Sequence, residues 1–307
     1  MTHIAVLPEG VRPFLVDAVL AGGGVLASAA DAEGLVWTRP DGAAALRALL
    51  GAHANLRWVQ LPWAGIEPFL EVIDRTHLWT GGQGVYAEPV AEHALTLALA
   101  GLRDIKRRAQ ASAWQRPSGL SLMDGHVTIF GAGGIARALA RLLAPFRVHL
   151  TIVRWRDEPF FCAGLMHPVR TLPPAARVEA VRDADVVVLA CPLTRASRHC
   201  IGVPELAAMK TTAWLVNVAR GGLVDTDALV HALRDERIGG AALDVTEPEP
   251  LPEGHPLWSM ARCLLTPHVA NTPEMAVPLL SERVRENVRR YGAGEPLLGV
   301  VDVAEGY

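Results

Sequence analysis

The chain has 307 residues, too many for one average domain and comfortable for two, and its 50% hydrophobic content can fill two cores. Charged residues make up 20% and the formal net charge is −3, which gives no reason to invoke nucleic acid or a membrane surface. The longest apolar stretch, Ala94 to Leu102, is about half the ~20 residues of a bilayer span.

Short apolar runs alternate with helical patterns, the signature of βαβ units and parallel sheets. Met1 to Glu9 lacks a basic stretch followed by a long apolar run, so it reads as a first strand and not as a signal peptide. The first third offers strands at His3–Leu7, Leu35–Thr38, Arg57–Leu61 and His77–Thr80, with helices at Val11–Leu20 and Asp41–Leu50. A long helix is predicted from Pro89 to Ala113; proline suits a first turn, where its missing N–H costs little. Because Val90 to Ala100 is apolar on most faces, this helix should be buried between domains or against a second copy. A second α/β region follows, with strands at Val127–Phe130, Val148–Val153, Val186–Ala190, Trp214–Val218, Ala241–Val245 and Cys263–Thr266. Its helices are expected at Gly134–Leu143, Pro204–Met209 and Thr226–Arg234. A last helix, Glu274 to Tyr291, comes after the final strand, and the pattern alone leaves open whether it returns to the first domain.

The four cysteines, Cys162, Cys191, Cys200 and Cys263, form no C-x-x-C pair and no disulfide framework, and the 11 histidines show no ligand spacing. Reduced thiols in a cytoplasmic protein and no metal are expected.

Gly131-Ala132-Gly133-Gly134-Ile135-Ala136 follows a strand and opens a helix, the context a dinucleotide fingerprint needs. Gly131 permits the tight turn, Gly133 lets the backbone approach a pyrophosphate, and Ala136 is small enough for helix–strand packing. The N–H groups of Gly134 and Ile135 at the helix start favour the anion. An NAD-binding protein usually ends its second strand on an acid for the ribose 2′-OH. Here the strand runs into Arg154-Trp155-Arg156. Guanidinium groups grip a 2′-phosphate, so NADP(H) is expected over NAD(H).

Three further segments carry chemistry: Leu215 to Gly222, Ala242 to Pro252 and Leu264 to Asn271. They place Arg220, Glu249 and His268 just beyond the carboxyl ends of predicted strands, the edge where ligands bind in open parallel sheets. Together with Ala184 to Thr194 and the glycine fingerprint, these segments resemble the D-isomer-specific 2-hydroxyacid dehydrogenase family. The length and the closing Val301 to Tyr307 look most like its glyoxylate/hydroxypyruvate reductase branch.

The resemblance implies two Rossmann-like or flavodoxin-like α/β domains with parallel sheets and a cleft between them. Residues 1–88 and 272–307 would form a discontinuous substrate-binding domain, and residues 89–271 the dinucleotide-binding one. It implies hydride transfer between NAD(P)H and a small 2-keto acid, giving the D-2-hydroxy acid. By resemblance, Arg220 holds the substrate carboxylate and carbonyl, His268 is the general acid, and Glu249 orients His268. Glu247 competes with Glu249 by sequence. The resemblance favours Glu249, because in the family the acid precedes the Pro-Leu-Pro turn, which would leave Glu247 as a solvated loop acid. Trp63, Ala64 and Gly65 would cradle the substrate carboxylate, with Trp63 either narrowing the pocket or belonging to the core. Cys191, Pro192, Ala219 and Asp244 would lie along the cofactor, and His93 would be structural. A homodimer through the long helix is the family habit. The runner-up reading is a catalytically idle NAD(P)-sensing protein on the same scaffold; a formate-type dehydrogenase is disfavoured by Glu249.

Overall fold

The structure, a computed structural model, describes residues 1–155 and 158–303. Arg156 and residues 304–307 of the closing segment therefore lie outside the described residues. The chain divides into two compact units, Met1–Tyr86 with Thr272–Tyr307, and Ala87–Asn271.

The first unit begins with β1 (Thr2–Leu7), α1 (Phe14–Ala21), β2 (Gly24–Leu26), β3 (Gly34–Trp37), α2 (Ala43–Ala52), β4 (Trp58–Gln60) and β5 (Leu78–Thr80). All five strands are parallel, in the order β2-β1-β3-β4-β5. This is the flavodoxin-like order, with the chain reversing direction beside β1. One face buries Leu35, Leu46, Val59, Phe69 and Trp79. The other buries Ile4, Leu15, Val19 and Trp58 against the closing helix of this unit. β2 escapes the sequence pattern because it is three residues long and follows Gly22 and Gly23, which read as a turn.

The second unit opens with α3 (Ala87–Leu102) and α4 (Ile105–Ala109), then β6 (His126–Phe130), α5 (Gly134–Leu143) and β7 (His149–Val153). There follow β8 (Arg170–Leu172), α6 (Arg177–Arg182), β9 (Val186–Leu189), α7 (Val203–Ala208), β10 (Trp214–Asn217) and α8 (Thr226–Arg234). It closes with β11 (Gly240–Leu243), α9 (Pro256–Ser259) and β12 (Cys263–Leu265). The last helix, α10 (Pro273–Ala293), belongs to the first unit, where Leu280, Val284 and Val288 pack beside α1.

The seven strands of the second unit are parallel in the order β12-β11-β10-β9-β6-β7-β8. β9, β10 and β11 are buried along their whole length, which fits their continuous apolar runs. The chain direction across the sheet reverses between β6 and β9, and that reversal leaves a crevice at the carboxyl ends of those two strands.

The long helix expected from Pro89 to Ala113 is two helices. Asp104 takes a left-handed φ of 53° and breaks the run, a conformation that aspartate tolerates better than most residues. α3 owes its all-round apolar character to packing on α5 and β10 inside its own unit. Gly101 lies against the indole of Trp214, where a Cβ would come within 2.3 Å of the ring. Among the described residues no helix is long and apolar enough to cross a membrane.

Candidate active site

The glycine turn sits at the reversal between β6 and β9. Gly131 has φ +114°, and a Cβ there would lie 2.5 Å from the Ala190 carbonyl oxygen at the end of β9. Only glycine meets both demands. Gly133 and Gly134 are exposed, and a Cβ on Gly133 would meet nothing within 4 Å, so the backbone there is open to a ligand. No side chain caps α5 among the described residues, which leaves its first-turn N–H groups available. Gly131, Gly133, Gly134 and Ile135 thus fit a pyrophosphate by shape and by dipole. Cys191 and Pro192 stand across the same crevice, at the end of β9. The hydrogen bond shared with Cys200, and then burial, holds the Cys191 thiol well above its usual range.

Arg154 follows β7 with its side chain almost fully buried. Its guanidinium is engaged by the Glu158 carboxylate at 2.9 Å, while its Nε is buried with no partner among the described residues. Its guanidinium is therefore already engaged within the chain. Arg156, its expected companion, lies outside the described residues.

Arg220, Glu249 and His268 follow β10, β11 and β12, three strands side by side in the sheet. Parallel pairing puts their carboxyl ends on one edge, so residues far apart in sequence reach the same rim. The Glu249 carboxylate oxygen lies 2.6 Å from His268 Nδ1 and accepts its proton in a short, charge-assisted bond. That fixes the tautomer and leaves Nε2 pointing elsewhere. Glu247, read from sequence as a solvated acid, is instead paired with Arg198 at 2.9 Å and His199 at 3.1 Å.

The turn that carries Arg220 is braced by Asn217, a buried side chain at the end of β10. Its amide donates to the Arg220 carbonyl at 2.8 Å, and its oxygen accepts from the Ala219 N–H at 3.1 Å. The next residue, Gly221, is pressed against the loop after β11, where a Cβ would lie 1.9 Å from the Thr246 carbonyl oxygen. Replacing Gly221 with alanine must part the two loops that carry Arg220 and Glu249. A loss of about 3 kcal/mol or more is expected, read as a lower urea midpoint at unchanged slope.

Asp244 is the hub of this rim. Expected along the cofactor, it is buried, with both oxygens committed to the loop that carries His268. It accepts from Thr266 Oγ1 at 2.6 Å, from the Val269 N–H at 2.9 Å and from the Ala270 N–H at 3.0 Å. His93 on α3 adds its Nε2 at 3.3 Å from the carboxylate and 3.1 Å from Thr266 Oγ1. Burial drives the Asp244 carboxyl upward, but the bonds from His93, Thr266, Val269 and Ala270 outweigh it and bring the pKa down to about 2. His268 itself has φ +54°, and its N–H donates to the Asp244 carbonyl at 2.8 Å. A left-handed histidine is uncommon and persists where its surroundings over-determine it. Sequence reading missed Asn217 and the joint role of Asp244 and His93. The available signal was a polar residue in or just beyond each of two otherwise apolar strands.

The Trp63–Gly65 loop follows β4 in the first unit. The Gly82 N–H donates to the Trp63 carbonyl at 2.7 Å, and a Cβ on Gly82 would lie 3.0 Å from the Ala64 nitrogen. Trp63 is half-buried with the Arg12 guanidinium over its ring, so it is not a core residue.

Comparison with known proteins agrees with this geometry. Residues 93–270 match the model of the D-isomer specific 2-hydroxyacid dehydrogenase NAD-binding domain. A glyoxylate reductase/hydroxypyruvate reductase of Homo sapiens is 30% identical over 262 residues, 82% of this chain and 78% of that one. A glyoxylate reductase of Thermofilum pendens is 34% identical over 225 residues, 69% of this chain and 64% of that one. Among solved structures, a D-isomer specific 2-hydroxyacid dehydrogenase from Xanthobacter autotrophicus Py2, in complex with NADPH and MES, superposes with a TM-score of 0.84 at 26% identity, covering 100% of this chain and 99% of that one. The chain belongs to the D-isomer-specific 2-hydroxyacid dehydrogenases, a family of oxidoreductases that use a nicotinamide cofactor.

Proposed function

We propose that the chain reduces a small 2-keto acid of the glyoxylate or hydroxypyruvate kind to its D-2-hydroxy acid with NADPH. The observation that carries this reading is the 2.6 Å Glu249–His268 pair on the strand-end rim that also holds Arg220. The turn Gly131–Ile135 would hold the pyrophosphate, and Cys191, Pro192 and Ala219 would lie along the rest of the cofactor. When bound, the nicotinamide supplies or accepts the hydride.

The chain's own residues do the rest. Arg220 binds the substrate carboxylate and draws electron density toward the carbonyl oxygen, lowering the cost of the charge that develops there. His268 Nε2 delivers a proton to that oxygen during reduction and takes it back during oxidation. Glu249 keeps Nδ1 protonated and balances the imidazolium whenever both nitrogens carry protons. Asp244 and His93 act as positioning residues through the loop. Trp63, Ala64 and Gly65 are assigned to the substrate, supported by the small side chains and tight backbone of that loop.

The preference for NADP(H) is supported by the absence of an acid at the end of β7 and by Arg156 in the sequence beyond it. NADPH in the Xanthobacter relative points the same way. A homodimer through α3 and the segment after it belongs to the same reading, supported by the exposed Ile105, Trp114, Leu120 and Met123. A panel of 2-keto acids, assayed with NADPH and NADH by the absorbance of the reduced cofactor, tests the proposal. Turnover of a short keto acid is expected, with kcat/KM about tenfold or more higher for NADPH, the equivalent of one charge-assisted contact. Cofactor binding without turnover of any keto acid would instead identify an idle sensor.

A further inference from the structure

Two arginines of the first unit have no anionic partner among the described residues. Arg12, just before α1, is half-buried, and its guanidinium lies 4.2 Å from the centroid of the Trp63 ring. None of its donors reaches a carboxylate or a carbonyl among the described residues. A ring contact steadies a guanidinium but does not neutralise it. Arg283 on α10 is also half-buried, and two of its nitrogens donate to the neutral carbonyls of Gly81 at 3.0 Å and Gln83 at 3.1 Å. Burial lowers the pKa of both arginines, and Tyr86 is the ionisable neighbour that each of them feels.

Tyr86 does not answer the charge. Burial pushes its phenol up to about 12, against the pull of Arg12 and Arg283, so it stays neutral at physiological pH. Its hydroxyl donates to the Pro62 carbonyl at 3.3 Å, at the head of the Trp63–Gly65 loop. The charge of Arg12 is thus tied to that loop twice, through the Trp63 ring and through Tyr86. Ala64 and Gly65 are only partly buried and carry little or no side chain, so their N–H groups can approach a small anion. Beside them, the Gln83 side-chain amide has its nitrogen and oxygen buried without a partner among the described residues. A Cβ on Gly81 would lie 2.6 Å from that amide's Oε1 and 3.1 Å from the Trp63 carbonyl oxygen, which sets the amide against the same loop. A half-buried cation without a counter-charge costs free energy that a bound anion recovers.

We propose that Arg12 is a further substrate-binding residue: seated on Trp63, it binds the carboxylate of the keto acid together with the backbone of the Trp63–Gly65 loop. Every group in this cluster belongs to the first unit. A flat, two-oxygen anion matches the planar fork of a guanidinium, and Arg12 is the arginine of the pair whose donors are unspent. The proposal rests on the reading of Trp63–Gly65 as the substrate loop and adds to it a side chain that supplies the charge.

The test takes the fastest keto acid of the panel and its methyl ester, which lacks the negative charge, with NADPH and the full chain. Arg12→Met keeps an apolar stem on Trp63 and removes only the charged head. It should raise KM for the acid by about tenfold to a hundredfold, as for a hydrogen bond to a charged group. kcat should stay close to wild type, because the contact is made equally in the bound substrate and in the transition state. kcat/KM for the ester should hardly move, and Arg12→Lys should restore part of the loss for the acid. Oxamate, an unreactive small carboxylate, gives a readout without turnover: its Kd in the presence of NADPH should weaken in Arg12→Met by the same factor. The urea midpoint of Arg12→Met should not fall, since the charge removed has no partner in the chain among the described residues. An acid KM and an oxamate Kd that Arg12→Met leaves unmoved overturn the proposal. Equal loss for acid and ester, or a loss that tracks a lower urea midpoint, also overturns it, because Arg12 would then support the fold and not hold the carboxylate. A wild type that neither reduces any keto acid nor binds oxamate strikes the substrate reading itself, and the proposal falls with it.

Discussion

Replacing His268 with asparagine should lower kcat for keto-acid reduction by about 10²- to 10⁴-fold, the usual worth of a positioned general acid. Asparagine keeps a polar side chain of similar reach and tolerates the left-handed backbone that His268 adopts at φ +54°. The loss would therefore report the missing proton and not a collapsed loop. kcat and kcat/KM should fall together, because the interaction removed exists only as the carbonyl oxygen gains charge. The dissociation constant for NADPH, read by quenching of tryptophan fluorescence, should stay close to wild type. Glu249→Gln should cost less: its amide oxygen can still accept from Nδ1, and only the negative charge at 2.6 Å is lost. Retention of more than about a tenth of wild-type kcat in the His268 variant would remove the histidine from the chemistry.

The largest effect on stability should come from Asp244. Replacing it with alanine deprives the Thr266 hydroxyl and the N–H groups of Val269 and Ala270 of their acceptor. The site is buried, and water cannot readily substitute there. A loss of about 3–5 kcal/mol is expected, seen in the urea midpoint, with activity falling in parallel as the His268 loop loosens. Asp244→Asn separates charge from shape and carries a pH signature. The Asp244 carboxyl titrates at about 2 in the folded chain, below the ordinary value of 3.8. Its stabilisation is therefore complete above about pH 4 and lost as the pH falls through 2, where both states hold the proton. The stability gap between wild type and Asp244→Asn should shrink by about 2–3 kcal/mol over that window. A gap that stays constant with pH would show that the carboxylate's charge contributes nothing.

Much of the site could be read from local pattern. The glycine turn is legible because a positive φ and a close approach to Ala190 both demand a residue without a side chain. The strand-end positions of Arg220 and His268 follow from apolar runs that stop two or three residues before them. The choice between Glu249 and Glu247 had no local basis. One residue separates them, both precede a proline, and only the resemblance favoured one. The contacts separate them: Glu249 meets His268, and Glu247 meets Arg198 and His199. Arg154 shows the opposite case. Its position after β7 read correctly, but the engagement of its guanidinium by Glu158 depends on how the following loop folds back.

Taken alone, the order of residues determined the alternation of strands and helices, the turn that can accept a pyrophosphate, and the residue types available for proton transfer. Each follows from forces that act over a few residues: side-chain periodicity, helix-end N–H groups, and the steric freedom of glycine. Tertiary structure decided which strand ends become neighbours, that Asp244 and His93 clamp the His268 loop, that the apolar helix breaks at Asp104, and that Arg12 rests on Trp63. Those contacts join residues from about twenty to more than a hundred positions apart. Their free energy comes from packing and from satisfying buried polar groups, which no local pattern encodes.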